Sequence, residues 1–203
     1  MVDVSSKSIF STLALEILGV HTENAEEFEK SNTEIKTIRV EENGSIKESM
    51  SFPAISFEEF ATEEWEDSIL YDYFSETRIL FVVFNKKDGE YYLNRALFWH
   101  MPLPDLDGPG MKDWLRAQQV VREGVGFRLS GLRMFNTLPN QSETEIFHLR
   151  PHTNLSAYYL PSLKGYIRGD IEKHADRLPN GDYMTKQSFW LNKDYVKKQI
   201  EKT

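Results

Sequence analysis

The stretch Arg78–Phe84, RILFVVF, constrains this chain most. After Arg78 every residue is apolar, and most are β-branched or aromatic. A short continuous run of that kind predicts a strand covered on both faces, because a strand with one wet face alternates apolar with polar residues. Asp88-Gly89 is a turn dipeptide, and Tyr91–Met101 reads as a second long strand. These two strands make the middle of a sheet, and covering both of its faces calls for helices on each side.

The rest of the chain supplies them. Ser5–Leu18 reads as a helix with Ile9, Phe10, Leu13, Ile17 and Leu18 on one stripe, stopped by Gly19. Thr33–Phe52 reads as a hairpin around Asn43-Gly44. Ser56–Ala61 is a short helix with a Ser56/Glu59 capping box, and Glu63–Asp67 extends a solvated acidic face around Trp65. Pro102–Gly110, PLPDLDGPG, breaks regular structure. Met111–Glu123 is a helix with Trp114, Leu115, Gln118 and Val121 on one stripe. Short strands follow at Gly126–Arg133 and Glu145–Leu149, with a mixed segment at Pro161–Arg177. Met184–Leu191 is extended and Lys193–Lys202 closes the chain as a helix. The expectation is one α/β domain over 1–203, a mixed sheet flanked by helices.

Composition narrows the function classes. The 203 residues are enough for a real core. Cysteine is absent, which excludes disulfides and thiolate metal sites and fits a reducing cytosol. Neither a membrane-length apolar run nor a leader is visible, so neither anchoring nor secretion is expected. Net charge is −8 but unevenly spread: residues 1–145 hold 14 Lys/Arg against 26 Asp/Glu, and residues 146–203 hold 10 against 6. A basic last quarter on an acidic body suits a polyanion such as DNA.

Three stretches carry candidate chemistry. Glu34-Ile35-Lys36 is the single acid-x-Lys of the chain, and alternate residues share one face of a strand. A carboxylate beside an ammonium suits a metal-dependent phosphodiesterase, or an ordinary surface ion pair. A nuclease site needs a further acid; Glu26, Glu27 and Glu29 are upstream, and no Asp lies between Asp3 and Asp67. In His148–Asn154, HLRPHTN, Arg150 has the fork that reads guanine O6 and N7, and His152, Thr153 and Asn154 are donors to bases or phosphates. His148 and His152 make a weak zinc case. In Gly181–Leu191, Tyr183, Lys186, Gln187 and Ser188 suit groove or phosphate contacts, while Phe189, Trp190 and Leu191 belong to the core. Lys193, Lys197 and Lys198 on the last helix either track a phosphate backbone or solvate the surface. P-loop, dinucleotide-binding, nucleophile-elbow and HExxH motifs are absent.

Taken in order, EEFEKS (Glu26–Ser31), KTI (Lys36–Ile38), KESMSF (Lys47–Phe52), EEWEDS (Glu63–Ser68), HLRPHTN and MTKQSFWLNKDYVKKQ (Met184–Gln199) resemble the MutH-type DNA endonucleases, in particular the Sau-three-AI type of restriction endonuclease. The resemblance covers nearly the whole chain. It implies a PD-(D/E)xK, restriction-endonuclease-like fold, Mg2+ for catalysis and GATC as the target. The family's Asp position falls on Glu27, a departure, its Glu on Glu34 and its Lys on Lys36. The family's target-reading Arg falls on Arg150 and its Tyr on Tyr183. A second family lysine has Arg95 as its nearest counterpart.

The resemblance is strongest to the carboxyl-terminal half of such enzymes. That implies a single MutH-like domain cut from a larger bacterial, cytoplasmic enzyme, binding double-stranded GATC DNA as an allosteric effector beside an amino-terminal catalytic MutH-like domain. Mg2+ then serves the full enzyme, with none expected on this domain. One alternative is a Mg2+-dependent GATC endonuclease with Glu27, Glu34 and Lys36 as its centre and Glu27 and Glu34 on the metal. Another is a protein-association module that does not bind DNA.

Overall fold

The computed structural model describes residues 7–17, 19, 28, 30–47 and 49–202. In chain order the elements are α1 (Lys7–Ile17), β1 (Thr33–Val40), β2 (Met50–Ala54), α2 (Phe57–Phe60), α3 (Ile69–Glu76), β3 (Arg78–Lys87), β4 (Glu90–Trp99), α4 (Met111–Glu123), β5 (Phe127–Ser130), β6 (Arg133–Asn136), β7 (Phe147–Pro151), β8 (Tyr158–Leu160), β9 (Tyr166–Arg168), α5 (Ile171–His174), β10 (Ala175–Arg177), β11 (Tyr183–Thr185), β12 (Gln187–Leu191) and α6 (Lys193–Glu201). The architecture is mixed α/β. It forms two compact units, the first from Met1–Ser49, Asp72–Pro102 and Lys193–Thr203, the second from Met50–Tyr71 and Leu103–Asn192.

In the first unit the sheet order is β1-β3-β4, with β1 parallel and β4 antiparallel to β3. Ile79–Phe84 is buried throughout, as a strand covered on both faces must be. On one face Phe10 and Ala14 of α1 pack on Leu80, Val82 and Phe84. On the other, Trp99 lies against Phe81 (5.4 Å), Phe74 of α3 (6.5 Å) and Tyr195 of α6 (6.3 Å). The stripe expected on α1 is rotated: Leu13 and Ile17 are exposed, and Phe10 and Ala14 face inward. A small residue at 14 lets the helix lie close to the sheet, with Phe10 filling the space beside it.

The expected hairpin at Thr33–Phe52 is a correction. Its turn forms, with Glu41 N–H donating to Ser45 O at 2.8 Å and Lys47 N–H to Arg39 O at 2.9 Å. Among the described residues only one antiparallel bridge follows, Val40 to Ile46. The returning segment becomes β2 in the second unit and pairs with β12. Pro53 has no N–H to give a central position, and β2 is an edge strand.

The second unit holds sheets β2-β12-β7 and β10-β11-β8-β9 and the β5–β6 hairpin, all antiparallel. Trp114, Ala117, Gln118 and Val121 of α4 are buried, while Leu115 is exposed. Trp65 is core rather than the centre of a wet face: a 3₁₀ turn at Trp65–Asp67 carries its ring to 5.5 Å from Trp114. Pro102–Gly110 is not a break either. An α-turn at Leu103–Asp105 and a π-helical turn at Leu106–Gly110 lead into α4, the wider turn accommodating Pro109. The strand expected at Gly126–Arg133 folds back on itself, because Gly131, at φ +58°, opens a two-residue turn between the paired Ser130 and Arg133.

Candidate nucleic-acid interface

The first candidate group lies on β1. Glu34 and Lys36 share a face, and Lys36 Nζ is 2.5 Å from Glu34 Oε2, both side chains partly exposed. Tyr73 of α3 stands by the same carboxylate: burial, then the Glu34 charge and a hydrogen bond to it, push the phenol far above its ordinary range. Among the described residues Glu34 thus has a cation and a phenol as neighbours. Glu27, the expected partner, lies outside the described residues, as do Glu23, Glu26 and Glu29. Among the described residues no three Asp, Glu or His side chains gather as cation ligands. Glu34 is the described carboxylate that would hold Mg2+, which takes one or two carboxylates together with substrate oxygens. Arg95 is committed elsewhere, its guanidinium donating to the Ile200 carbonyl near the C-terminus of α6. Lys193 Nζ donates to Lys47 O at 3.1 Å, and Lys197 lies 3.9 Å from Glu201.

The second group is built on β7 and β12. Their register sets Arg150 opposite Ser188 and His148 opposite Trp190. The start of β7 is anchored by Asp113 of α4, whose Oδ2 accepts from the N–H groups of Glu145, Ile146 and Phe147 at 2.9, 2.6 and 3.1 Å. Burial raises the Asp113 carboxyl above its ordinary range, and those three donors oppose the shift. His148 is buried, its Nδ1 on Asn192 Oδ1, and its Nε2 has no hydrogen-bond partner among the described residues. Desolvation lowers its pKa, Asn192 resists, and the Arg150 cation adds to the lowering.

Beyond Leu149 the strand emerges. Arg150 is exposed, its guanidinium 4.7 Å over the Trp190 ring. His152 is exposed and doubly held: Nδ1 lies 2.6 Å from Ser188 Oγ, and its N–H donates to Lys186 O at 2.8 Å. Thr153 Oγ1 is 3.5 Å from His174 Nδ1 and accepts from Leu155 N–H. Asn154 is exposed, Lys186 is half-buried, and Tyr183 is half-buried with its ring 6.1 Å from Tyr159. Gln187 and Ser188 present no surface. Gln187 donates to Thr185 O at 2.8 Å and Ser188 is fully buried beneath His152, so neither side chain is placed to touch a ligand. The candidate histidines do not converge: His148 points into the core and His152 sits at the surface.

Sequence reading missed a third group, Arg128 and Arg133 on the β5–β6 hairpin and Arg168 on β9, all exposed. Among the described residues Arg128, Arg133, Arg150 and Arg168 have no carboxylate within ion-pair distance. Arg116 and Arg177 of the same unit pair with Glu143 and Glu58. The available signal was an acid-free run: residues 124–142 contain no Asp or Glu in a chain that has 32.

Comparison with known proteins bears on both units. The family model described as DNA mismatch repair enzyme MutH matches residues 18–105, which include Glu34 and Lys36 and stop short of the arginine-bearing strands. The Type II restriction enzyme Sau3AI of Staphylococcus aureus is 39% identical over 198 residues, a match that covers 87% of this chain and so reaches well beyond residue 105. The chain spans 40% of that enzyme's length. A nuclease-family scaffold around Glu34 and Lys36, continued by sequence likeness into the strands that carry Arg150, makes this chain a member of the MutH/Sau3AI-like family.

Proposed function

We propose that this chain is a GATC-reading DNA-binding module of a type II restriction endonuclease, acting as an allosteric effector domain rather than as the cutting centre. In this reading residues 1–203 are one MutH-like portion of a longer bacterial enzyme. An amino-terminal MutH-like portion supplies catalysis with Mg2+. The observation that carries it is the setting of Arg150: exposed at the end of β7, over the Trp190 ring, with no carboxylate among the described residues to neutralise it. A guanidinium fixed by a ring keeps both charge and fork for guanine O6 and N7. His152, Thr153, Asn154, Lys186 and Tyr183 are the further phosphate and base-edge donors in this reading. Ser188 holds His152 from beneath, and Gln187 braces the Thr185 carbonyl.

The first unit supports a PD-(D/E)xK-type scaffold, with Glu34 and Lys36 on one face of a mixed sheet. Glu27 at the family's Asp position is one methylene longer, which favours binding over cutting. A gel shift of the 203-residue chain with GATC and scrambled duplexes tests the reading: tighter binding to GATC with a steep salt dependence is expected, and equal affinity for both overturns it.

The Glu34–Lys36 contact favours a second reading, a Mg2+-dependent GATC endonuclease with Glu27, Glu34 and Lys36 at its centre. Incubation with GATC-containing plasmid and Mg2+ separates the two. Nicking that vanishes in Glu34→Ala establishes the second reading; intact plasmid at high protein concentration removes it.

A further inference from the structure

We propose that the β5–β6 hairpin and Arg168 form a seat for a backbone phosphate of the DNA flanking the sequence that the Arg150 loop reads. This rests on the DNA-binding reading above and extends it to a second contact.

A cavity of about 420 Å³ is lined by Ser130, Leu132, Arg133, Ser156, Tyr158 and Arg168, among others. Its polar groups are two guanidiniums, two hydroxyls and a phenol, with no carboxylate in the lining. That is a set of donors for an anion with several oxygens, and a guanidinium fork matches phosphate geometry. Arg133 and Arg128 flank the Phe135 ring, 4.9 and 4.8 Å from its centroid. A ring holds them in place without neutralising them. Arg168 donates to the Leu132 carbonyl at 2.6 Å, which fixes the hairpin tip against β9 and leaves its other N–H groups free for a ligand.

The seat is tied to the recognition loop. His148–Asn154 runs through Leu155 into Ser156, which lines the cavity. Gly169, at φ +74°, lies so close to Ser156 that a Cβ there would stand 2.3 Å from the Ser156 carbonyl oxygen. Only glycine permits that approach, so the residue after Arg168 is locked to the end of the loop that carries Arg150. A duplex is the polyanion that offers both a guanine edge to Arg150 and regularly spaced phosphates beyond it. A free phosphate or an acidic peptide offers only the second.

Fluorescence anisotropy over a salt series tests this with the whole 203-residue chain and two GATC duplexes. One ends near the site and the other is longer by about ten base pairs on each side, one helical turn. Arg133→Ala/Arg168→Ala is expected to weaken the long duplex about tenfold or more and to make its salt slope shallower by about two. The short duplex and the GATC-to-scrambled ratio stay unchanged. Leu132→Glu leaves every arginine in place and alters an 89% exposed side chain. Putting a carboxylate at the mouth of the seat, it is expected to weaken the long duplex in the same way, and it decides the matter if the double variant unfolds.

Wild-type affinity and slope for the long duplex in both variants overturn the seat alone. So does a collapse of the GATC preference, which would make these groups base readers. A wild-type chain that binds neither duplex overturns the DNA-binding reading and the seat with it.

Discussion

The two units hold several of their cations differently. In the first, cations are answered from within: Lys36 by Glu34, Lys86 and Lys47 by Glu41, Lys197 by Glu201, Arg95 by a helix-terminal carbonyl. The Tyr91 hydroxyl also donates to Glu41, and that bond, ahead of the lysines, holds its carboxyl below the ordinary range. In the second unit Arg128, Arg133, Arg150 and Arg168 rest on rings or carbonyls and meet no acid among the described residues. Charge matched at home stabilises a surface weakly and recruits nothing. Charge held rigid and left unmatched is what a polyanion binds, because its counterions leave when the partner arrives.

The largest test of this contrast is Asp113→Ala. It strips three backbone N–H groups at the start of β7 of their acceptor, and is expected to cost about 3 kcal/mol of unfolding free energy, read from denaturant melts. A loss within experimental error would mean that the strand carrying Arg150 is not held from α4.

Arg150→Ala comes next. Removing one bidentate guanine contact is worth about 1–3 kcal/mol of discrimination. The GATC-to-scrambled affinity ratio should fall by that amount while stability stays within about 0.5 kcal/mol, as for an exposed side chain.

Ser188→Ala, which frees His152 from beneath, is expected to weaken GATC binding by about 1 kcal/mol, the worth of one ordinary hydrogen bond. Unchanged binding would remove His152 from the interface.

The pH dependence follows from His148. Its folded pKa is below the ordinary 6.5, so the neutral ring is the form that the fold accepts. Its contribution is complete above that value and is lost as pH falls through the ordinary range towards the folded pKa. Thermal melts should drop on acidification below about pH 6.5, the reference value for histidine, and His148→Gln should flatten that part of the profile.

The smallest effect is expected in the first unit. Lys36→Met should change stability by less than about 0.5 kcal/mol, because the pair it breaks is partly exposed and screened. DNA affinity should not move. A drop matching that of Arg150→Ala would erase the contrast between the units and bring Lys36 into the interface.

Local periodicity and turn chemistry made much of this legible in the sequence. RILFVVF appears as the doubly covered strand β3, Asp88-Gly89 as its turn, and Met111–Glu123 with the expected bounds. Lys193–Glu201 lies within the predicted closing helix. The pairing of Glu34 with Lys36 followed from the period of two. What was not legible depended on partners distant in sequence. Nothing local says that β1 pairs in parallel with β3, or that Met50–Ala54 leaves its own turn for β12. Trp65 looked wet because its neighbours are acids, yet the residue that buries it is 49 positions away at Trp114. Arg150 was singled out by its residue type and its place at a strand end, where it is exposed. Gln187 and Ser188 were read as contacts because polarity is visible in sequence and burial in a sheet is not. Arg133 and Arg168 are ordinary singly; their meaning lies in a shared lining that holds no acid.

The chain crosses between its two units at 49/50, 71/72, 102/103 and 192/193. Neither unit is therefore a segment that a pair of restriction sites could excise. Ending the chain after Asn192 would keep every arginine of the interface but remove α6. Trp99 would lose Tyr195 and Gln199, and Arg95 would lose the Ile200 carbonyl. Any sensor, fusion or minimal binder made from this protein has to carry the closing helix, although no residue of that helix is assigned to reading DNA.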